Sequence, residues 1–416
     1  MNAVRWMAFA AAGAAALACQ DVVSVPGSCP EFCPESAIDV RDTLLSTVLA
    51  SSIVPTDTGY LNSVAPQGSY TGYVLPHEAA QMQVVGPGSP VQARALMVFF
   101  RFAGNYVGGD TSVKDTILQT DSLRFTFNIV RRNANVTGVA LALHEIPLDT
   151  DSSRTFADMD PYFQDSTLVA TVQVPDTLVQ GPVSVTLLPG ALRHFVDDTL
   201  RSAIGLRIIS TGPAFVSLGA DTLNQPARMT RFVQLDSSTG TTRVTRSESE
   251  VLSFKTFVAD TASVPAPASL RVGGTSGARV FIKLNVPTQL VDSMVVVRAS
   301  LLIPPPAPVP GAPGDTFSLR VLPLGTDFGP KSPLADSTYG GYAKVAVGSA
   351  DTVVLDLTRA FLLWRSNAVM PHTVMLGMVR SEEAGSVDAF DLPDQGSPAN
   401  RAILRITYGM PFRPGR

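Results

Sequence analysis

The sequence predicts an all-β chain arranged as two tandem antiparallel sandwich domains behind a short export leader. Three observations carry this expectation. Several segments alternate in hydropathy with a period of two; 32 prolines and 32 glycines cut the 416 residues at short intervals; and an ordered set of landmarks occurs twice. Alternation sends successive side chains to opposite faces of a strand, so apolar residues at that spacing bury one face of a sheet. Frequent Gly and Pro stop such runs before a long helix can form.

The leader comes first. Residues 1–18 read MNAVRWMAFAAAGAAALA, with Arg5 ahead of an apolar run and small residues just before Cys19. The run from Trp6 to Ala18 is shorter than the roughly 20 residues a membrane-spanning helix needs, so it reads as a cleaved secretory signal. Ala16, Leu17, Ala18 and Cys19 resemble the lipobox of bacterial lipoproteins, in which the Cys is lipidated and becomes the new N-terminus. That resemblance implies anchorage to a bacterial membrane through Cys19. Gln20 follows where an Asp would retain the protein, which implies the outer membrane or cell surface. Plain cleavage after Ala-x-Ala, releasing a secreted protein, stays open.

Residues 19–59 read as the lipidated N-terminus and a tether, within which Arg41 to Val54 suits a strand or short helix. Cys29 and Cys33 are the only other cysteines. In an exported chain their C-x3-C spacing reads as a small disulfide loop, with a free thiol pair as the alternative. A metal site there would need two further ligands, and no His lies within forty residues.

The first domain is placed at 60–236. In it Leu123, Phe125, Phe127 and Ile129 share one face of a strand, with Ser122, Arg124, Thr126 and Asn128 on the other. The polar stretch 237–249 reads as a linker and 250–416 as the second domain. There Val280, Ile282, Leu284 and Val286 alternate with Arg279, Phe281, Lys283 and Asn285. The landmarks that repeat are QVVGPGSPVQARALMVFF from Gln83 with LRVGGTSGARVFIKL from Leu270, and VSVTLLPGALRHF from Val183 with TVVLDLTRAFLLW from Thr352. LRIIS from Leu206 then pairs with GMVRS from Gly377, and Pro226 with Pro398. Their offsets run from 169 (Phe195 to Trp364) to 187 (Val85 to Val272). Four landmarks in one order argue for a duplicated domain. Ile303 to Gly314, IPPPAPVPGAPG, reads as an extended Pro-rich surface loop.

In the second repeat Leu270 to Val272, Val280 to Val286, Arg298 to Ile303, Asp356 to Thr358 with Trp364, and Ala402 to Tyr408 follow the pattern of a known module. This pattern resembles the DNRLRE-type domain of bacterial surface proteins, a jelly roll similar to the propeptide of transforming growth factor β. The first repeat matches more loosely, with Leu187, Leu188 and Phe195 where Asp, Thr and Trp would stand. The resemblance implies two tandem antiparallel jelly-roll β-sandwiches and a non-catalytic extracellular role in attachment. It implies no functional site, only apolar core positions and a capping Asp.

Chemistry is sparse. Net charge is -4, with no basic stretch, so nucleic acid is not an expected partner. His77, His144, His194 and His372 lie far apart, with neither an H-E-x-x-H spacing nor a G-x-S-x-G elbow nearby. The chain is therefore read as no enzyme. DTDSSRTFADMD offers Asp149, Asp151, Asp158 and Asp160, oxygen ligands of the kind calcium takes, although the spacing is not that of an EF-hand. The acids of SEEAGSVDAFDLPDQ read as an exposed loop. Tyr60, Tyr70, Tyr73, Tyr106, Tyr162, Tyr339 and Tyr342 could form a sugar platform. The expected function is a lipid-anchored structural or adhesive surface protein without a cofactor, touching the membrane through its lipid and a surface protein or polysaccharide beyond it. The alternative is a carbohydrate-binding protein, calcium-assisted if the acids converge.

Overall fold

The structure is a computed structural model that describes residues 40–44, 75–107, 114–115, 117–195, 200–236, 243–260, 270–284, 286–328, 332–379, 386–392 and 402–409. The protein is all-β, with every described strand pair antiparallel. The strand β1 (Val40–Leu44) opens it. The first unit then runs through β2 (Gln81–Val85), β3 (Gln92–Phe99), the short pair β4 (Tyr106–Val107) and β5 (Lys114–Asp115), and the long β6 (Ile117–Arg132). It continues with β7 (Ala140–Glu145), β8 (Leu168–Gln173), β9 (Gly181–Leu187), β10 (Ala203–Ile209), β11 (Phe215–Gly219), β12 (Arg228–Asp236) and β13 (Arg243–Asp260). The second unit contains β14 (Arg271–Gly273), β15 (Val280–Lys283), β16 (Val295–Ile303), β17 (Thr316–Pro323), β18 (Gly341–Ala346), β19 (Val353–Asp356), β20 (Thr373–Met378), β21 (Ala389–Asp391) and β22 (Ile403–Gly409).

The alternation read at Ser122 to Ile129 holds. Leu123, Phe125, Phe127 and Ile129 are buried while Arg124 is exposed, and β6 extends the pattern at both ends. Phe125 meets Phe99 edge-on at 5.9 Å between centroids and Phe127 at 5.3 Å, the offset geometry that aromatic quadrupoles prefer. At β15 the pattern is only half kept. Val280 and Ile282 are buried as expected, but Phe281 is also only 5% exposed, because this strand is covered on both faces.

Both units follow one strand order. In the first, β13-β12-β6-β9 lie side by side, as do β3-β10-β7-β8, with β2 paired to β11. In the second the corresponding rows are β1-β22-β16-β19 and β15-β20-β17-β18, with β14 paired to β21. In the second unit the two four-stranded sheets share one apolar cluster, with Leu301, Leu355 and Ile406 from one and Ile282, Leu319 and Leu376 from the other. The paired landmarks fall on corresponding elements: Val85 and Val272 on β2 and β14, Leu96 and Val280 on β3 and β15, Leu206 and Gly377 on β10 and β20. Phe195 and Trp364, just after β9 and β19, are each buried in their own unit's core.

One boundary moves. Residues 243–249, read as the end of a polar linker, lie in β13, where Arg243 to Val251 pair with β12 and Leu252 to Asp260 with β3. Their polar side chains do not prevent this, since a strand needs only one covered face and its ladder is made by the backbone. The strand that was to start the second domain therefore belongs to the first. The tether's strand does the reverse: β1 pairs with β22 of the second unit, from Val40 opposite Gly409 to Leu44 opposite Arg405.

Asp356 precedes the N-cap Leu357 of the helix α1 (Thr358–Ser366), its Oδ1 accepting from the Thr358 N–H at 2.8 Å. Ala360, Phe361 and Trp364 form the buried face of this helix. The Trp364 ring packs against Phe361 and His372, both at 5.1 Å, and its indole nitrogen has no hydrogen-bond partner among the described residues. Trp364→Ala is expected to cost about 3–5 kcal/mol, whereas Trp364→Phe keeps much of the ring's contact and loses no hydrogen bond. Denaturant unfolding of the two variants checks this: equal losses would contradict it.

Candidate ligand pocket

The break in β13 makes a cavity. The strand leaves β12 after Val251 and joins β3 at Leu252, with a register shift before Phe254. At that shift the ladder cannot stay flush. Val251 to Lys255 line one side of a cavity of about 480 Å3, faced by the loop after β11 and by His77.

The loop is held rigidly. Asp221 Oδ1 accepts from both the backbone N–H and the Nδ2 of Asn224, each at 2.8 Å, and Asn128 Nδ2 donates to the Asn224 carbonyl at 3.0 Å. Gly219 is required beneath it, because a Cβ there would lie 1.9 Å from the Asn224 oxygen. Gln225, which lines the cavity, has a φ of 56°, a left-handed conformation that costs a residue with a Cβ.

The Lys255 ammonium donates to the carbonyls of Ala79, at 2.8 Å, and of Ala220, so it ties the His77 turn to the end of β11. Burial lowers its pKa and the nearby Asp221 carboxylate opposes that shift. His77 stacks on Phe254 with centroids 6.2 Å apart and planes at 27°. Arg228 is exposed at the rim, and its guanidinium has no hydrogen-bond or ionic partner among the described residues. Ser253 Oγ donates to the Val98 carbonyl at 3.0 Å, so this hydroxyl is spent on structure. The arrangement offers a cation, a carboxylate, amide and hydroxyl groups and a ring pair, which is chemistry for holding a small polar ligand.

Cys19, Cys29 and Cys33 lie outside the described residues, as do Tyr60, Tyr70 and Tyr73. The four aspartates considered for calcium are not brought together. Asp149 pairs with Arg154 at 2.9 Å and Asp160 with Arg94 at 2.6 Å. Asp151 accepts from the Ser153 N–H and hydroxyl, and Asp158 closes a capping box with Thr155. These bonds hold the Asp151 and Asp158 carboxyls below the usual range. Among the described residues no three His, Cys, Asp or Glu side chains stand where one ion could bridge them. Three of the four acids meet a donor within five residues in the same short loop, and Asp160 meets Arg94 of β3.

Two stretches expected as surface loops are partly buried among the described residues. Of the Pro-rich stretch only Pro306 to Pro308 and Gly314 are exposed; Val309, Gly311 and Ala312 are buried. Ser386 to Ala389 are buried too, and Ala389–Asp391 forms β21 instead of an exposed acidic loop. In both stretches the small residues let the chain pack closely. Tyr162 and Tyr342 are exposed and make no aromatic pair among the described residues; the cavity's ring pair is His77 with Phe254, which no local pattern announced.

The other histidines are structural. His144 is fully buried, bonds Thr167 at 3.2 Å and packs on Phe163, while His372 packs on Trp364. The His194 N–H donates to Glu145. Burial first, then the Arg207 charge, lowers the His144 pKa to about 4.

Comparison of the chain with family models, curated proteins and solved structures finds no match.

Two outcomes follow from this geometry. Since His144 is neutral when folded and titrates normally when unfolded, its stabilising contribution is complete above about pH 6.5 and declines as pH falls toward 4. An NMR titration is expected to put its midpoint near 4; a midpoint near 6.5 would contradict the burial. Gln225→Gly is expected to stabilise by about 1 kcal/mol by relieving the left-handed backbone, read by chemical unfolding. A destabilised variant would show that no strain is stored there.

Proposed function

We propose that the protein is a non-catalytic, lipid-anchored component of the bacterial cell surface with a structural or adhesive role, built from two jelly-roll-type units. The observation that carries this reading is where the chemistry-bearing side chains go. Arg271 makes a two-pronged pair with Asp391 at 2.7 and 2.9 Å, Arg94 pairs with Asp160 while its guanidinium lies over the rings of Phe156 and Phe163, and His144 and His372 serve as packing groups. The described polar groups brace strands and loops. Anchorage rests on the lipobox-like residues before Cys19. Two acyl chains at that cysteine would hold a protein stably at a membrane, where one chain gives only marginal binding.

The cavity favours a second reading, a carbohydrate-binding protein acting on extracellular glycans. A sugar ring stacks its apolar face on aromatic planes and spends its hydroxyls on groups such as Asp221, Thr222 and Gln225, which line this cavity beside His77 and Phe254. A glycan array separates the two: silence across cell-wall and storage polysaccharides favours the structural role.

Metabolic labelling with an alkyne fatty acid tests the anchor. Label is expected on the wild-type protein and none on Cys19→Ala, which should leave the membrane fraction. Label that persists in the variant would contradict anchorage at Cys19.

A further inference from the structure

One end of the second unit gathers exposed apolar and basic side chains. Register fixes its place in the fold: Val40, the first residue of β1, lies opposite Gly409 at the end of β22, and Gly409 lies opposite Val295 at the start of β16. Helix α1 departs from the same end. The Ala299 N–H donates to Thr358 Oγ1 at 3.0 Å, and the Ala299 carbonyl accepts from the Leu357 N–H at 2.9 Å. Ala360, Phe361 and Trp364 turn inward to close the core, which leaves Arg359, Leu362 and Arg365 exposed on the outer side of the helix.

Val369, between α1 and β20, is 93% exposed, the most of any large apolar side chain among the described residues. Val295, Val297 and Leu362 are exposed beside it. Val297 is the extra residue of a bulge, since β16 shifts register against β22 between Val296 and Arg298, and a bulge re-aims a side chain. Arg298 and Arg365 are exposed and make no hydrogen bond or ion pair among the described residues, whereas Arg359 donates to the Thr338 carbonyl at 3.0 Å. Against these cations stand Asp292, at the end of the short helix Thr288–Asp292, and Asp356, which is occupied by the Thr358 N–H. Single exposed apolar residues are ordinary on a protein surface. Four at one end, interleaved with arginines, have the composition of a surface that lies in a membrane interface.

We infer that this end of the second unit docks on the phospholipid surface, with Val295, Val297, Leu362 and Val369 entering the headgroup boundary and Arg298 and Arg365 meeting lipid phosphates. The inference rests on the proposed anchorage at Cys19. Residues 20–39 separate Cys19 from Val40, a span of at most about 70 Å when fully extended. The chain that leaves the acyl chains therefore arrives at this end, and the tether keeps the surface at high local concentration over the lipid. Burial of the four apolar side chains and charge-assisted hydrogen bonds from the two guanidinium groups both favour the docked state. Anionic headgroups add attraction for each arginine. Docked in this way, the second unit stands end-on, with its opposite end turned away from the lipid.

The test uses the full-length protein, expressed in bacteria and reconstituted into vesicles of phosphatidylcholine and phosphatidylglycerol with brominated acyl chains. Val369→Trp places an indole at the surface in question, and because Trp364 is fully buried its signal is read as the difference from the unsubstituted protein. Its emission is expected to shift to the blue and to be quenched by the brominated lipid about threefold more than that of Leu223→Trp, a comparably exposed site on the first unit. Leu362→Trp is expected to give the same result from the helix. Arg298→Gln combined with Arg365→Gln is expected to lower the quenching, and no change there overturns the contact with lipid phosphate. Flotation with the vesicles reads the anchor separately. Protein that floats but is quenched equally at positions 369 and 223 overturns the docking and leaves the anchor standing; protein that does not float removes the anchor and the docking with it.

Discussion

The last strand of each unit needs a partner along its free edge, and in both units the chain supplies it from outside the nine-strand repeat. An unpaired edge exposes a row of N–H and C=O groups that invite pairing with another chain. For β12 the partner is β13, which follows it by six residues. For β22 it is β1, which precedes it by more than 350 residues. The first described strand is thus built into the unit at the far end of the chain, through the β1–β22 ladder.

That closure shapes the rest. β13 is long enough to serve β12 and then β3, and in changing partner it opens the cavity next to Lys255. The seam between the two units at Asp315 adds a polar contact to an apolar one. Ala312 and Val387 supply shape-matched burial, while Gln83 and Arg131 satisfy groups that would otherwise be buried without partners. The two units therefore behave as more than beads on a string.

Much of the fold was legible because it rests on local rules. Alternation at Leu123 to Ile129 identified β6, and paired landmarks from Val85 and Val272 onward identified strands that occupy the same places in two units. The helical state of α1 was not legible, since LDLTRAFLLW reads equally as a strand end. The linker was misplaced because the polar residues of 243–249 carry no sign that their backbone pairs with β12. The cavity and the seam were not legible. His77, Asp221, Arg228 and Lys255 are spread over more than 170 residues, as Gln83, Arg131, Asp315 and Asp388 are over more than 300, and only the sheet topology brings each set together. The aspartates at 149 to 160 misled for the opposite reason: a cluster in sequence need not converge when each member has a donor within five residues or, for Asp160, an arginine on β3.

The closing strand is the central claim, and disulfide trapping tests it most directly. In a chain otherwise free of cysteine, Thr43→Cys with Ile406→Cys joins residues that face each other across β1 and β22, where Cα atoms of antiparallel partners lie about 4.5–5.5 Å apart, within reach of a disulfide. Rapid formation of the bond within a single chain is expected, and little when Thr43→Cys is combined with Leu404→Cys two positions out of register. No bond in the first pair, or equal bonding in both, would contradict it.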